Sequence, residues 1–441
     1  MKRLLPLLLC AVLALFCATT AQAAGVSITL TASEYALHYA FDAGAQDPFV
    51  ILEYTTPAEK GWMMLYSEDG HFEGDVSLAY SGAGGKTSVA LTSARTTGSI
   101  GKASTTLPKA ADYQKPTGKS NVKVMDFVLT ETPEGFHYAF NAIGTDYMLL
   151  YWRSKEQTVT QPVYPDENGH YEGDVISNLT FARTQFTVQV KSGSGSMKKE
   201  ATVRKGYQAP EAPQRQEGRL SGVTVCIDAG HQENGRFVKE PIGPGLSGST
   251  SGKGGMAQGT KTNRRESIVC LEIGMLLRDE LLRQGANVIM TREDQTTFHT
   301  NIERCEIAEA GGAQIMLRLH CNNSSNRSKR GIQVYGPLNS DYAKAVADAD
   351  TYREMGQKLL DAMKTRVGMT LANSTGMVRL NDNYVGNNWA KMMCFLVEMG
   401  YLSNPAEEYL LVTPVYQQWL AEGMADGVYE IAVARGWVQA Q

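Results

Sequence analysis

The first half of this chain is written twice. His38-Tyr39-Ala40-Phe41 returns as His137-Tyr138-Ala139-Phe140, and Gly70-His71-Phe72-Glu73-Gly74-Asp75-Val76 returns as Gly169-His170-Tyr171-Glu172-Gly173-Asp174-Val175, both at an offset of 99 residues. One offset shared by separated motifs means that a whole folding unit is duplicated. Within each copy, runs such as Tyr35-Ala36-Leu37-His38-Tyr39-Ala40-Phe41 alternate apolar and polar residues, and Asp69-Gly70 and Asn168-Gly169 separate them. A period of two punctuated by turns is the pattern of half-buried strands, so each copy is expected to be a small antiparallel β-sandwich of roughly eighty residues. The copies are placed at 25–107 and 123–206, with linkers rich in Pro, Lys and Gln at 109–119 and 208–218.

The repeated histidines are not read as metal ligands. His38 and His137 lie beside aromatic residues in strands, where a half-buried, hydrogen-bonded imidazole is common, and His71 and His170 lie beside turns. Neither copy shows clustered His, Cys or Asp in its sequence. Trp62 and Trp152 read singly as core aromatics.

The chain starts with a basic Met1-Lys2-Arg3, an apolar stretch from Leu4 to Phe16 and the small-residue site Ala21-Gln22-Ala23. These are the three parts of a secretory signal, 1–23, and they predict an exported protein of the cell envelope. No later run reaches the roughly twenty apolar residues of a membrane span. A formal charge of −4 over 441 residues argues against a nucleic-acid partner. Beyond the signal, Cys226, Cys270, Cys305, Cys321 and Cys394 are odd in number and scattered, so they read as buried small residues and not as a disulfide framework.

After the second linker the pattern changes. Val223-Thr224-Val225-Cys226-Ile227 is an apolar run that ends in Asp228-Ala229-Gly230-His231, and Gln314-Ile315-Met316-Leu317-Arg318-Leu319 ends in His320-Cys321-Asn322. Strands of this kind are buried on both faces and carry chemistry at their carboxyl ends. Strands are expected at 222–228, 286–291, 314–319, 331–335, 376–380 and 393–398, and helices at 264–284, 301–311, 341–366, 406–411 and 414–434. The whole is multidomain: two tandem small antiparallel β-sandwiches, then an α/β zinc-hydrolase domain at 219–441 whose mostly parallel sheet is covered by helices on both faces. Glu266 opens the first helical pattern. With His231 and His320 it makes a three-ligand set for Zn2+ that leaves one position open, and Glu398 follows as the proton-transfer group. Asp228 and Asn322 could orient the site from behind the histidines. A Gly- and Ser-rich stretch, 241–255, reads either as a loop bordering the cleft or as a flexible insertion.

Four motifs in order carry a resemblance to the zinc-dependent N-acetylmuramoyl-L-alanine amidases. Ile227-Asp228-Ala229-Gly230-His231 is similar to the family's D-P-G-H opening, with Ala229 where proline is usual, and Thr291-Arg292-Glu293-Asp294 to its T-R-x-x-D. Leu319-His320-Cys321-Asn322 is similar to its I-H-A-N, and Val397-Glu398-Met399-Gly400-Tyr401-Leu402-Ser403-Asn404 to its v-E-x-G-f-l-S-N. The resemblance implies hydrolysis of the bond between N-acetylmuramic acid and L-alanine in peptidoglycan. It also implies that the repeats engage a wall polymer or an envelope protein. The metal set alone suits a zinc carboxypeptidase equally well, and a non-catalytic wall-binding protein is the reading from another class.

Overall fold

A computed structural model describes residues 19–22, 25–33, 36–57, 60–78, 84–96, 98–110, 122–132, 135–144, 148–153, 158–163, 165–176, 184–192, 195–203, 210–232, 238–250, 255–262, 264–368 and 378–440. The chain forms two compact units, Met1–Pro116 and Thr117–Gln441.

In the first unit the period-two runs form two antiparallel sheets. One has the order Thr19–Gln22, Ser27–Ala32, Ala36–Asp42, His71–Ser77, and the other Lys60–Tyr66, Phe49–Thr55, Gly85–Ser93, Ser99–Leu107. Their inner faces share one core, with Leu30, Leu37, Tyr39 and Phe41 from one sheet and Val50, Leu52, Val89 and Leu91 from the other. That is a sandwich. The outer strand Thr19–Gln22 pairs with Ser27 to Leu30 and lies within the segment expected to be a signal. Residues 1–18 of that segment lie outside the described residues.

The second copy repeats this arrangement. Its sheets run His170–Ile176, Gly135–Ile143, Lys123–Thr132 and Thr158–Val163, Met148–Arg153, Thr184–Ser192, Gly195–Val203. Equivalent contacts recur, with Phe41 stacked on Phe72 at 4.9 Å and Phe140 on Tyr171 at 4.6 Å. The glycine of each Gly-Asp pair has a steric reason: a Cβ on Gly74 would lie 2.8 Å from the Tyr39 hydroxyl, and one on Gly173 2.6 Å from that of Tyr138. Trp152 is buried in the core, whereas Trp62 is partly exposed. In both copies the antiparallel pairing places the hydrogen-bonded histidines beside carboxylates on the outer face.

The α/β part holds a six-stranded sheet in the order Asn287–Met290, Thr224–Ala229, Ile315–Asn322, Met393–Tyr401, Gln333–Gly336, Val378–Leu380. It is mixed, not uniformly parallel: Gln333–Gly336 runs antiparallel to Met393–Tyr401, while the other pairs are parallel. The connection from Asn322 to Gln333 is short and contains no helix. A connection of that length can only turn the chain back, since a parallel return needs a crossover of a dozen residues or more. Helices cover both faces. Gly274 of Glu266–Arg283 packs on Ile227, Ala229 and Leu319, and the next residues along the strands, Cys226, Met316 and Cys394, pack on the opposite side with Cys305 of Asn301–Ala310.

The long helix expected at 341–366 is two helices, Asp341–Val346 and Ala349–Val367. The break falls at Asp348, whose carboxylate accepts the Thr351 N–H at 2.7 Å and caps the second helix, a local bond that competes with helix continuation. A short helix, Val385–Trp389, had no sequence expectation. Residues 241–250 of the Gly- and Ser-rich stretch, and Glu240 before it, are held in place: the Asn388 amide donates to Ile242 O, the Trp389 indole to Pro241 O, and the Glu240 carboxylate accepts from the start of Asn301–Ala310. Residues 251–254 lie outside the described residues. All five cysteines of this half are buried and free, and no helix among the described residues is long and apolar enough to cross a membrane.

Candidate active site

Two strands and one helix start bring the ligand candidates together. His231 follows the carboxyl end of Thr224–Ala229, Glu266 is the first residue of its helix, and His320 sits near the carboxyl end of Ile315–Asn322. The strand thus runs two residues past His320, and Met393–Tyr401 likewise runs past Glu398. Glu266 Oε1 lies 3.2 Å from His231 Nε2 and 2.9 Å from His320 Nδ1, and the two imidazoles meet edge to face at 4.9 Å. Potential ligand atoms of the three residues all lie within 4.8 Å of one another, so the group could bind a metal.

This convergence depends on Gly230. A Cβ there would stand 2.4 Å from Leu319 O and 2.6 Å from His320 Cε1, so only glycine lets the two strand ends approach. His231 has a φ of 56°, the left-handed region that a non-glycine side chain disfavours. Backbone carbonyls around it are tied down by arginines. Arg292 donates to the carbonyls of Ala229, Gly230 and Ser267, and Arg304 to those of Ala229 and His231. Arg292 therefore joins the loop of one histidine to the helix turn that begins at Glu266, and burial pushes its guanidinium down to about 10.

Glu266 is buried, and its oxygens accept from the backbone N–H groups of Cys321 at 3.0 Å and Ala257 at 2.8 Å. Burial opposes its charge, yet the hydrogen bonds and charges of both imidazoles prevail and hold the carboxyl well below its usual range. Burial lowers His320 below the ordinary histidine value despite its bond to Glu266, which favours the neutral ring. Its Nε2 is buried with no hydrogen-bond partner among the described residues, as is Glu398 Oε2. His320 and Glu398 pair directly across parallel strands. Burial first, and then the charge of Glu266, raise the Glu398 carboxyl well above its usual range.

Asp228 and Asn322 do not touch the histidine rings among the described contacts. Asp228 accepts from Thr291 Oγ1 at 2.8 Å, Arg318 Nε at 2.9 Å and Arg304, and the two arginines overcome the burial penalty to keep it ionised. It acts on the site through Arg304, which grips the His231 carbonyl. The Asn322 amide donates to Gln333 Oε1 at 3.2 Å, and Tyr335 Oη donates to the same oxygen at 2.6 Å. Of the residues that sequence reading assigned no task, Arg318 carried a signal: an arginine amid Ile315, Met316, Leu317 and Leu319 in a buried strand needs a buried anion. Arg304 on its helix carried none.

Residues 225–430 match the Amidase_3 family model, described as N-acetylmuramoyl-L-alanine amidase. The germination-specific N-acetylmuramoyl-L-alanine amidase of Bacillus subtilis is 26% identical over 231 residues, which cover 49% of this chain and 83% of that protein. The probable cell wall amidase LytH of Staphylococcus aureus is 27% identical over 218 residues, covering 48% of this chain and 60% of LytH. Among solved structures, the apo amidase Ami1 of Mycobacterium abscessus is 20% identical with a TM-score of 0.44, covering 48% of this chain and 99% of Ami1. The C-terminal domain of this chain belongs to the N-acetylmuramoyl-L-alanine amidase family.

Proposed function

We propose that residues 219–441 hydrolyse the amide between the lactyl group of N-acetylmuramic acid and L-alanine in peptidoglycan, with Zn2+ held by His231, Glu266 and His320. The reading rests on one observation above all: a buried carboxylate shared by two imidazoles, beside a buried imidazole nitrogen and a buried carboxylate oxygen that both lack partners. Buried polar atoms are almost always satisfied, so these two mark a place where a cation and its substrate belong. Two imidazoles and one carboxylate are a catalytic zinc donor set.

When bound there, zinc supplies a Lewis acid that polarises the amide carbonyl and makes attacking water more acidic. Glu266, whose carboxyl is held well below its usual range, brings the negative charge that would offset the cation. His320 offers a lone pair because burial keeps its ring neutral. Glu398, one strand away at the level of His320, takes the proton of the attacking water and returns it to the alanine nitrogen as the bond breaks. Its raised pKa suits that second step, since it lets the carboxyl hold the proton near neutral pH until the nitrogen takes it.

The segment 1–23 directs export, in this reading, and places the enzyme in the envelope where its substrate lies; 25–107 and 123–206 are two β-sandwich domains that attach it to wall material. Digestion of purified peptidoglycan by the full chain, with and without chelator, tests the activity by mass spectrometry of the released fragments. Peptides with a free N-terminal alanine, lost on chelation, are expected. Release of single C-terminal amino acids would show a carboxypeptidase instead, and no release would leave a binding protein.

A further inference from the structure

Gln333 stands in one row with two of the groups proposed for the chemistry. The sheet pairs His320 with Glu398 and Glu398 with Gln333, so the three side chains lie level on one face, while Leu319, Val397 and Val334 point to the other. Strand order then places His231 and His320 on one side of Glu398 and Gln333 on the other.

A chain of donors and acceptors fixes the orientation of the Gln333 amide. It starts at a group that can only donate, the backbone N–H of Asn323, which gives its hydrogen bond to Asn322 Oδ1 at 2.8 Å. The other end of the Asn322 side chain is therefore its amide nitrogen, and this donates to Gln333 Oε1 at 3.2 Å. The Tyr335 hydroxyl donates to the same oxygen at 2.6 Å. That hydroxyl is hydrogen-bonded in turn to the one of Tyr384, whose ring meets that of Tyr335 edge to face at 5.2 Å. Both lone pairs of Gln333 Oε1 are used, which turns Nε2 away from these partners. Its two N–H groups meet no acceptor among the described residues, and the side chain is only half-buried. They are open to a ligand that passes Glu398.

An amide held in this way presents neutral donors in a fixed direction, which suits a peptide carbonyl; recognition of a carboxylate or phosphate is the task of Arg or Lys. We infer that Gln333 Nε2 donates to the carbonyl oxygen of the L-alanine that leaves with the stem peptide, and so holds the leaving nitrogen at Glu398. This rests on the amide hydrolysis proposed above. In that reading the scissile carbonyl lies by His231, Glu266 and His320, and its nitrogen lies by Glu398. The direction from carbonyl to nitrogen then runs along the row, and the peptide beyond the nitrogen continues towards Gln333. One strand spacing, about 4.8 Å, separates Gln333 from Glu398, and one residue of extended peptide spans about 3.5 Å. The carbonyl that comes within reach of the amide is therefore the first one after the leaving nitrogen, not the scissile one.

Two soluble substrates test the inference on the full chain. One is an N-acetylmuramoyl peptide, and the other is the same molecule with a trans-alkene in place of the peptide bond that follows L-alanine, which removes that carbonyl and keeps length and shape. Wild type should favour the first in kcat/KM by about three- to tenfold, the contribution of one neutral hydrogen bond. Gln333→Glu keeps an oxygen for Asn322 and Tyr335 but removes both donors, so its preference should fall to about one or below. Gln333→Met, neutral and of similar length, makes the same comparison without the added charge. A purely structural role would slow both substrates alike and leave the ratio as in wild type, which overturns the inference, as does a wild type without preference. Binding gives a second readout: Kd values of Glu398→Gln for the two peptides should differ by the same factor and converge once Gln333→Glu is added, and equal values before that change overturn it too. A wild type that cleaves neither molecule at the muramoyl amide instead removes the hydrolysis reading itself, and the inference with it.

Discussion

His320 and Glu398 face each other across adjacent parallel strands, and each buries one polar atom without a partner. The pairing sets the nitrogen proposed to hold the metal and the oxygen proposed to move the proton on neighbouring strands. The two groups should separate cleanly by mutation. Glu398→Gln is expected to lower turnover by a factor of about 10² to 10⁴ while zinc content stays at wild type, since the group moves a proton and does not hold the ion. His320→Ala should lose both. Metal analysis of the two purified variants decides; zinc lost from Glu398→Gln would make that residue a ligand.

Gly230→Ala should act on the metal and not on the fold as a whole. The new methyl group meets Leu319 O and the His320 ring at well under contact distance, so His320 must move away from Glu266. Zinc affinity is expected to fall by about 10- to 100-fold, the range seen when the support of a ligand is disturbed. A competition titration with a chelating dye measures this, and an unchanged affinity would mean that the strand ends part without moving the ring.

Asp228→Asn tests the polar centre beneath the site. Arg304 and Arg318 both direct their charge at this fully buried carboxylate. Removing the charge leaves two buried cations uncompensated, which is expected to cost about 3 kcal/mol or more. Urea unfolding followed by circular dichroism reads the loss. A change under about 1 kcal/mol would show that water enters and solvates the arginines.

Glu407 predicts a pH dependence. It is buried, and burial raises its carboxyl from 4.5 to about 7 despite the N–H groups of Tyr401 and Gly331 that it accepts. A carboxyl whose folded pKa is raised binds its proton more tightly when folded. Its stabilising effect is therefore complete below pH 4.5, declines as pH rises towards 7 and is gone above. At about 1.4 kcal/mol per unit, the loss is about 3 kcal/mol. Unfolding free energies of wild type at pH 5 and pH 8 should differ by more than those of Glu407→Gln, and equal differences in the two proteins would remove Glu407 as the source.

The sequence by itself determined the classes of structure and the chemistry available to them. Alternation in Tyr35 to Phe41 and its return 99 residues later specified two sandwiches, because a period of two admits only one buried face. Unbroken apolar runs ending at His231 and His320 specified buried strands with histidines at their ends, the helical pattern opening at Glu266 offered a carboxylate beside them, and a family motif marked Glu398. Tertiary structure alone decided what meets what. Strand order brought Glu266 to both histidines across gaps of 35 and 54 residues in the chain, a short connection turned Gln333–Gly336, and Val378–Leu380 beside it, against the other four strands, and Asp228 went to Arg304 and Arg318 and not to the ring beside it. The surface histidines of the sandwiches show the same limit most plainly. His38 and His71 are 33 residues apart in sequence, and only the register of one strand pair sets both beside Glu73. Side-chain spacing along a strand is local and legible in a sequence; register between strands depends on which faces are buried together, and that is settled only when the sheet forms.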